Sequence, residues 1–468
     1  MKTGKNQDFS GSPLSYHFVG IGGIGMSAIA QVLNEQGHIV SGSDRNYDRG
    51  ITPTLFSLLS SQGISISQQN GDGIKENTDF LVVSSAIEED NPDIKKALAL
   101  NIKIIKRANL LSEMFNRKYG IAIGGTNGKT TVSSMISYIL DHAGLSPTFI
   151  VGGCIKNYVN PSRLGNAKGG TSDIMSIEAD ESDGSIVLYE PRISAITNIS
   201  KDHTTIEKTA EMFKIFSKNT KDILILNADC PQLGKINFGH KRSVTYGINN
   251  NAAVRAQNII CKPFHSTFQV NGQRYEINLP GIYNVSNALA AIATAQSLGI
   301  DSRKIASALN QFQGVQRRMD IVGEIHGIKV IDDYAHNPNK IKAALTAVKS
   351  NGSKIFAIFQ PHGYTPTNFM KDELIETFAE TLSPQDILCM PEIYYAGGTT
   401  SKNVSSADIV KMVNEKGKTA FFVKDRDDIV PLIKRNIHAG DCILVMGARD
   451  NTLTEFCQKI LASLKDIS

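Results

Sequence analysis

The chain has 468 residues, 41% hydrophobic and 20% charged, with 49 Lys and Arg against 45 Asp and Glu for a formal net charge of +4. That composition excludes fibrous and disordered chains, and a balance so near neutral gives no argument for a nucleic-acid partner. At about 150 residues per domain the length predicts three domains, each able to bury a core. Six cysteines (Cys154, Cys230, Cys261, Cys389, Cys442 and Cys457) lie far apart without a CxxC pair, which reads as buried thiols rather than a disulfide frame or zinc site. Residues 1–13 lack an apolar signal core and no run of about 18 apolar residues occurs, so a cytoplasmic protein with no membrane partner is expected.

The first element is an apolar strand from Tyr16 to Val19 that breaks into Gly20, Gly22, Gly23, Gly25 and Met26. A helical run over 27–36, a second strand over 38–42 and the pair Ser43-Asp44 follow. Strand, glycine turn and helix aim backbone N–H groups at a pyrophosphate, and an acid about 20 residues on can take ribose hydroxyls. A dehydrogenase would write this stretch the same way. The buried run 80–83 then ends in Ser84 and Ser85, hydroxyls at the end of a strand where doubly wound sheets bind ligands or where the chain simply turns. A short strand over 103–106 and a helix over 108–115 lead to the polar join Asn116-Arg117-Lys118, which sets a first domain of 1–117.

The second domain, 118–316, opens on the apolar Ile121-Ala122-Ile123 followed by Gly124-Gly125-Thr126-Asn127-Gly128-Lys129-Thr130-Thr131. Ile123 stands where GxxxxGK[ST] needs glycine, leaving the shorter G-T-x-G-K-T form. Small residues let successive N–H groups face an anion at a helix start, Lys129 can reach outer phosphates and the Thr130 hydroxyl can ligate Mg2+. A helix over 132–142 is expected. The strand 174–177 ends in Glu178-Ala179-Asp180-Glu181-Ser182-Asp183, four acids in six residues with no evident structural cause. A further strand, 194–199, runs into Ser200-Lys201-Asp202-His203, where an acid and an imidazole can hold Mg2+ or its waters against phosphates. Residues 254–278 read as short β-hairpins. Asn284 and Asn287 share a helix face before the alanine-rich helix 288–296 and either read an adenine edge or cap the helix. Residues 312–320, with Arg317-Arg318, form a hinge.

The third domain, 317–468, begins with a strand over 329–331 ending in Asp332-Asp333-Tyr334-Ala335-His336-Asn337-Pro338, an acid, a phenol and an imidazole facing a cleft. The strand 355–359 ends in Gln360-Pro361-His362-Gly363-Tyr364. Two more apolar strands lie at 386–390 and 442–446, the second running into Gly447-Ala448-Arg449.

Taken in order, these motifs resemble the Mur ligase family over nearly the whole chain, closest to the branch that joins L-alanine to UDP-N-acetylmuramate. The resemblance implies an α/β fold of three domains: an N-terminal Rossmann-like UDP-sugar domain, a central ATP-binding domain with a phosphate loop, and a C-terminal Rossmann-like domain. It implies ATP at Gly125, Thr126, Asn127, Gly128, Lys129, Thr130, Thr131, Asn284, Asn287, Arg318 and Asp333, and Mg2+ at Thr130, Glu178 and His203. The UDP-sugar would lie on Gly20, Gly22, Gly23, Gly25, Met26, Ser43, Asp44, Ser84 and Ser85, and the amino acid on Tyr334, His336 and His362. Lys129, Glu178, His203, Arg318 and His336 are the implied catalytic set, in a monomer or homodimer.

A carboxylate resists nucleophiles until it is activated, so the expected chemistry is attack on the γ-phosphorus of ATP to form an acyl phosphate, followed by capture by an amine. The family pattern departs in three places: G-T-H-G-K-T has Asn127 here, D-D-Y-G-H-H-P has Ala335 and Asn337, and, most seriously, P-H-R-Y-T-R-T reads Pro361-His362-Gly363-Tyr364-Thr365-Pro366-Thr367, without either arginine. The alternative within the class is therefore a ligase adding another amino acid or a peptide. Outside it stand an NAD-dependent dehydrogenase, which leaves Lys129, Glu178 and His203 unexplained, and a regulatory ATP-binding module or motor, which would hydrolyse ATP without a carboxylate partner.

Overall fold

In the computed structural model, which describes residues 12–85, 87–201, 205–239, 242–349, 353–394, 403–450 and 452–466, the first glycine turn leaves a strand buried along almost its whole length. The chain forms two units, Met1–Thr245 with Ala293–Ile300 and Tyr246–Ile292 with Asp301–Ser468. Among the described residues no helix is long and apolar enough to cross a membrane.

In the first unit, β1 (Ser15–Val19), β2 (Ile39–Ser43), β3 (Ser65–Ser67), β4 (Phe80–Val83) and β5 (Lys103–Lys106) form a parallel sheet in the order β3-β2-β1-β4-β5. Parallel neighbours need crossovers, and the helices Ile24–Glu35, Pro53–Ser61 and Pro92–Ala99 supply them. The strand order reverses between β1 and β4, so Gly20–Gly23 and Ser84-Ser85 leave adjacent strands beside the crevice where such sheets take ligands. The first helix starts ahead of the expected 27–36 because Gly23 caps it: Ser27 N–H already donates to the Gly23 carbonyl at 2.8 Å.

The same unit continues with β6 (Tyr119–Gly124), β7 (Thr148–Ile150), β8 (Ala167–Lys168), β9 (Ile174–Glu178), β10 (Ile193–Ile196), β11 (Ile223–Asn227) and the first three residues of β12 (Ser243–Gly247), and within it the strands run β12-β11-β10-β6-β9-β7-β8. β6 lies between β9 and β10, with Ile123 level with Glu178 and Gly124 level with Ile196. The loop after β6 is thereby flanked by the two strand ends that carry the acids and Thr197. One apolar cluster runs through both sheets, from Tyr16 and Phe18 to Phe213 and Phe216. Phe115, on the helix Arg107–Asn116, packs edge-on against Tyr189 at 5.5 Å, so core side chains meet on both sides of the polar join 116–118. A buried polar seam adds to this contact: Asn166 donates to the Ile24 carbonyl at 2.9 Å and accepts from Gln31 at 2.9 Å.

In the second unit β13 (Val254–Arg255) precedes an antiparallel β14 (Gln257–Lys262), β15 (His265–Val270) and β16 (Gln273–Ile277), the expected hairpins. A larger sheet follows: β17 (Asp320–Ile325), β18 (Ile328–Asp333), β19 (Ile355–Gln360), β20 (Ile387–Pro391), β21 (Thr419–Val423) and β22 (Cys442–Gly447), ordered β17-β18-β22-β19-β20-β21. Its pairings are parallel except the β17/β18 hairpin. The sequence reading missed β17. Its signal was the turn His326-Gly327, where both residues have positive φ, 53° and 76°, the two-residue turn that matches strand twist. β19, β20 and β22 are buried throughout, as strands with helices on both faces must be.

Candidate active site

The phosphate loop is held open by its neighbours. Gly125 has φ +132°, and a Cβ there would lie 1.9 Å from Thr197 Oγ1, so no other residue fits. Thr197 and Asn198, expected to extend a strand over 194–199, instead leave β10 after Ile196 and brace the loop. Thr197 Oγ1 donates to the Asn127 carbonyl at 2.6 Å, Asn198 Oδ1 accepts from Asn127 N–H at 2.9 Å, and Thr126 N–H donates to the Asn198 carbonyl at 3.0 Å. Asn127 Nδ2 also donates to Ser200 Oγ at 3.0 Å, which makes this side chain a brace. The helix Lys129–His142 then begins earlier than expected, at the lysine itself, with Gly128 as a cap that offers no side-chain acceptor to its first N–H groups. Such a terminus favours an anion.

Lys129 is 12% exposed and donates to Glu181 Oε2 at 2.7 Å, with Asp180 Oδ1 at 3.6 Å. Burial alone would lower its ammonium, but Glu181, Asp180 and Glu178 outweigh that and hold it above its ordinary range. Burial likewise favours the neutral form of Asp180, and Lys129, the Ser182 N–H and hydroxyl and Arg107 together pull it below the ordinary carboxylate range. The acid run therefore has structural causes that the sequence did not disclose. Asp183 pairs with Arg107 at 2.8 Å, while Asp180 and Glu181 serve Lys129. Glu178 is the exception: among the described residues its Oε2 accepts only the Gly152 N–H, at 2.9 Å. A Cβ at Gly152 would lie 2.3 Å from that oxygen, so glycine makes the cradle in which the carboxylate sits. Glu178 and the buried Thr130 hydroxyl are hard-oxygen donors of the kind a Mg2+ accepts alongside water and phosphate oxygens. Among the described residues no group of three or more His, Cys, Asp or Glu forms a ready metal cage; His203 lies outside them.

At the first glycine turn, Gly20 and Ile21 N–H donate to the Ser43 carbonyl at 2.8 and 3.0 Å, and Gly22 N–H donates to Asp44 Oδ2 at 2.9 Å. Asp44 Oδ1 accepts from Asn46 N–H at 2.8 Å. Burial raises its carboxyl, an effect that the two N–H donors counter. Ser43 is fully buried and its hydroxyl donates to Asp93, so it shapes the turn through its carbonyl. Met26 packs into the apolar core. Gly23 caps the first helix, Gly25 lies in its first turn, and Ser84 and the exposed Ser85 stand at the end of the adjacent β4.

In the second unit Asn284 and Asn287 lie on the helix Ile282–Ser297 and bond each other at 3.0 Å, while Asn284 Nδ2 donates to the Pro280 carbonyl at 2.8 Å. The buried Asn284 thus secures the helix start, and the half-buried Asn287 is the more open amide. Asp333 accepts from Met319 N–H at 2.7 Å and Ala335 N–H at 2.8 Å, and burial raises its carboxyl to about 6. It thereby fixes the turn bearing Arg318, whose guanidinium stacks 4.6 Å over Tyr334. Tyr334, His336 and His362 form a row of rings with centroids 5.7 Å apart at each step. His336 Nδ1 lies 2.9 Å from the Tyr334 carbonyl; an acceptor there puts the proton on Nδ1 and leaves the lone pair on Nε2.

Comparison with known proteins finds relatives over nearly the whole chain. Family models match in three consecutive stretches: "Mur ligase family, catalytic domain" over 15–119, "Mur ligase middle domain" over 123–295 and "Mur ligase, glutamate ligase domain" over 317–449. The chain is 36% identical over 461 residues to a UDP-N-acetylmuramate–L-alanine ligase of Aquifex aeolicus, covering 95% of this chain and 97% of the relative. Its identity to the enzyme of that name from Geotalea daltonii is 37%, over 92% and 94% of the two chains. Among solved structures it is similar to UDP-N-acetylmuramate-alanine ligase from Thermotoga maritima, with a TM-score of 0.79 and 26% identity over 97% of this chain and 100% of the other. A murein peptide ligase from Psychrobacter arcticus shares the fold, at a TM-score of 0.68 and 24% identity over 97% and 99%.

Proposed function

The chain belongs to the Mur ligase family, and from that premise we propose that it joins L-alanine to the carboxylate of UDP-N-acetylmuramate at the expense of ATP, a step in making peptidoglycan precursors. The observation that carries this reading is Lys129, held charged at the mouth of a braced glycine loop by acids it can exchange for phosphate oxygens.

The N–H groups of Gly128 to Thr131 and the Lys129 ammonium orient the triphosphate, while Asn287, positioned by the buried Asn284, and Asp333 and Arg318 are proposed as further nucleotide contacts. The sugar diphosphate is assigned to the start of the helix Ile24–Glu35, whose cap Gly23 offers no side-chain acceptor to its first N–H groups, with the glycine turn, Asp44, Ser84 and Ser85 around it. The substrate carboxylate attacks the γ-phosphorus, ADP leaves, and Lys129 neutralises charge spreading over the transferred oxygens. The amine then attacks the acyl carbon, phosphate departs, and the lone pair of His336 Nε2 orients the amine or accepts its proton. Thr130 and Glu178 would hold a Mg2+, with His203 completing the set by resemblance; such an ion neutralises phosphate charge.

The test is phosphate release, which should require UDP-N-acetylmuramate and L-alanine together. With 18O in the substrate carboxylate, label should appear in the released orthophosphate; unlabelled phosphate would exclude the acyl phosphate. A panel of amino acids and peptides decides the acceptor, since Gly363 and Pro366 bring no cation to the loop after β19.

A further inference from the structure

The sheet of the second unit puts one more residue among the rings. β22 is the middle of three adjacent parallel strands, with β18 on one side and β19 on the other. Asp333 is level with Met446 and Gln360 with Gly447, so the three strands end together. The chain leaving β18 carries Tyr334 and His336, the chain leaving β19 carries His362, and the chain leaving β22 carries Arg449. Arg449 therefore emerges between the two ring-bearing loops, at the strand ends where doubly wound sheets take ligands. Its N–H donates to the Tyr334 hydroxyl at 3.4 Å.

Three features of Arg449 point to a ligand. Its φ is +61°, a left-handed conformation that glycine adopts freely and arginine does not, and such strain collects at functional sites. The residue is exposed, and among the described residues its guanidinium has no hydrogen-bond or ion-pair partner. The neighbouring cations and the adjacent acid are already engaged. Arg317 donates to the Gly447 carbonyl at 2.8 Å, and Arg426 takes the buried Asp450 at 2.6 Å. Arg318 is stacked over Tyr334. Neither residues 334–337 nor residues 361–363, the loops on either side, contain a lysine or arginine.

We propose that Arg449 grips the carboxylate of the acceptor amino acid, its planar fork taking both oxygens while the row Tyr334, His336 and His362 lies beside the amine. This deepens the ligase reading and rests on it.

The variants Arg449→Gly and Arg449→Lys test it. Glycine relieves the backbone while removing the guanidinium, so the first variant should melt no lower than the parent and any loss is not misfolding. With ATP and UDP-N-acetylmuramate saturating, the KM for L-alanine should rise about 30-fold in Arg449→Gly and about tenfold in Arg449→Lys, the scale of a lost charged hydrogen bond. The KM for ATP and for the UDP-sugar should hold within about twofold, since the gripped group belongs to neither. The parent's preference for L-alanine over L-alaninamide, which lacks the carboxylate, should vanish in Arg449→Gly. An unchanged KM for L-alanine, a preference that persists, or an effect falling on ATP instead would overturn the role of Arg449 and leave the ligase reading standing. A parent enzyme that releases phosphate with no amine supplied would overturn the ligase reading itself.

Discussion

The two glycine turns of the first unit, after β1 and after β6, make the same backbone gesture with different charges beside it. Each leaves a buried parallel strand and enters a helix whose cap offers no side-chain acceptor. At the first, the carboxylate of Asp44 already accepts the Gly22 N–H, and no lysine enters the turn. At the second, Lys129 stands against Glu181 and Asp180 and the loop is clamped by Thr197, Asn198 and Ser200. Backbone N–H groups at a helix start can hold an anion that is bound without being transferred. A phosphoryl group in transit needs a fixed cation too, because its charge moves during the reaction.

Removing that cation should have the largest effect: Lys129→Ala is expected to cut turnover about 10^3-fold in a phosphate-release assay. A near-normal rate would erase the distinction between the turns. Next come the glycines. Gly125→Ala forces a Cβ to 1.9 Å from Thr197 Oγ1 at φ +132°, whereas Gly22→Ala meets Asp44 Oδ2 at 2.9 Å and Phe56 at 3.1 Å with ordinary φ. Chemical denaturation should show losses of about 3 kcal/mol or more for the first and about 1 to 2 kcal/mol for the second. Equal losses would mean that the loops are equally tight.

Acid should act on the first sheet through His17, which is fully buried on β1 with Nδ1 2.8 Å from Ser41 Oγ and a pKa lowered to about 4 by burial. The unfolded chain binds this proton near pH 6.5 and the folded chain only near pH 4, so stability falls as pH drops through that window, by up to about 3 kcal/mol. Asp333 has the opposite sign. Its folded pKa of about 6 lies above the unfolded 3.8, so its contribution is complete below that lower value and is lost as pH rises through 6. Denaturation at pH 7 and pH 5 should therefore show a small net acid-side loss, which His17→Asn turns into a gain by leaving the Asp333 contribution alone. The smallest effect expected is that of Asp44→Asn: a KM for the UDP-sugar raised about tenfold with that for ATP unchanged, since an amide keeps one acceptor of two.

Much of this molecule can be read from the residues in order. Continuous apolar runs ending in small or polar residues marked β1, β4, β6, β9, β19 and β22 to within a residue or two, because strands buried on both faces have no polar side to disguise them. The chain order of motifs was enough to place it in a family of three-part ligases. β17 escaped because an edge strand is half-exposed and mixed in character. Side-chain employment was not legible. Ser43 and Met26 turned inward, Asn127 became a brace, Asn284 spent its amide on a helix start, and three of the four acids were occupied by Lys129 and Arg107. The residues themselves determined which backbone could form and which chemical groups the chain possesses, since periodicity and turn chemistry act over a few neighbours. Only the folded arrangement decided which of those groups face a ligand and which hold the scaffold, because Thr197 meets Asn127, and Arg449 meets Tyr334, across gaps of sequence that no local pattern spans.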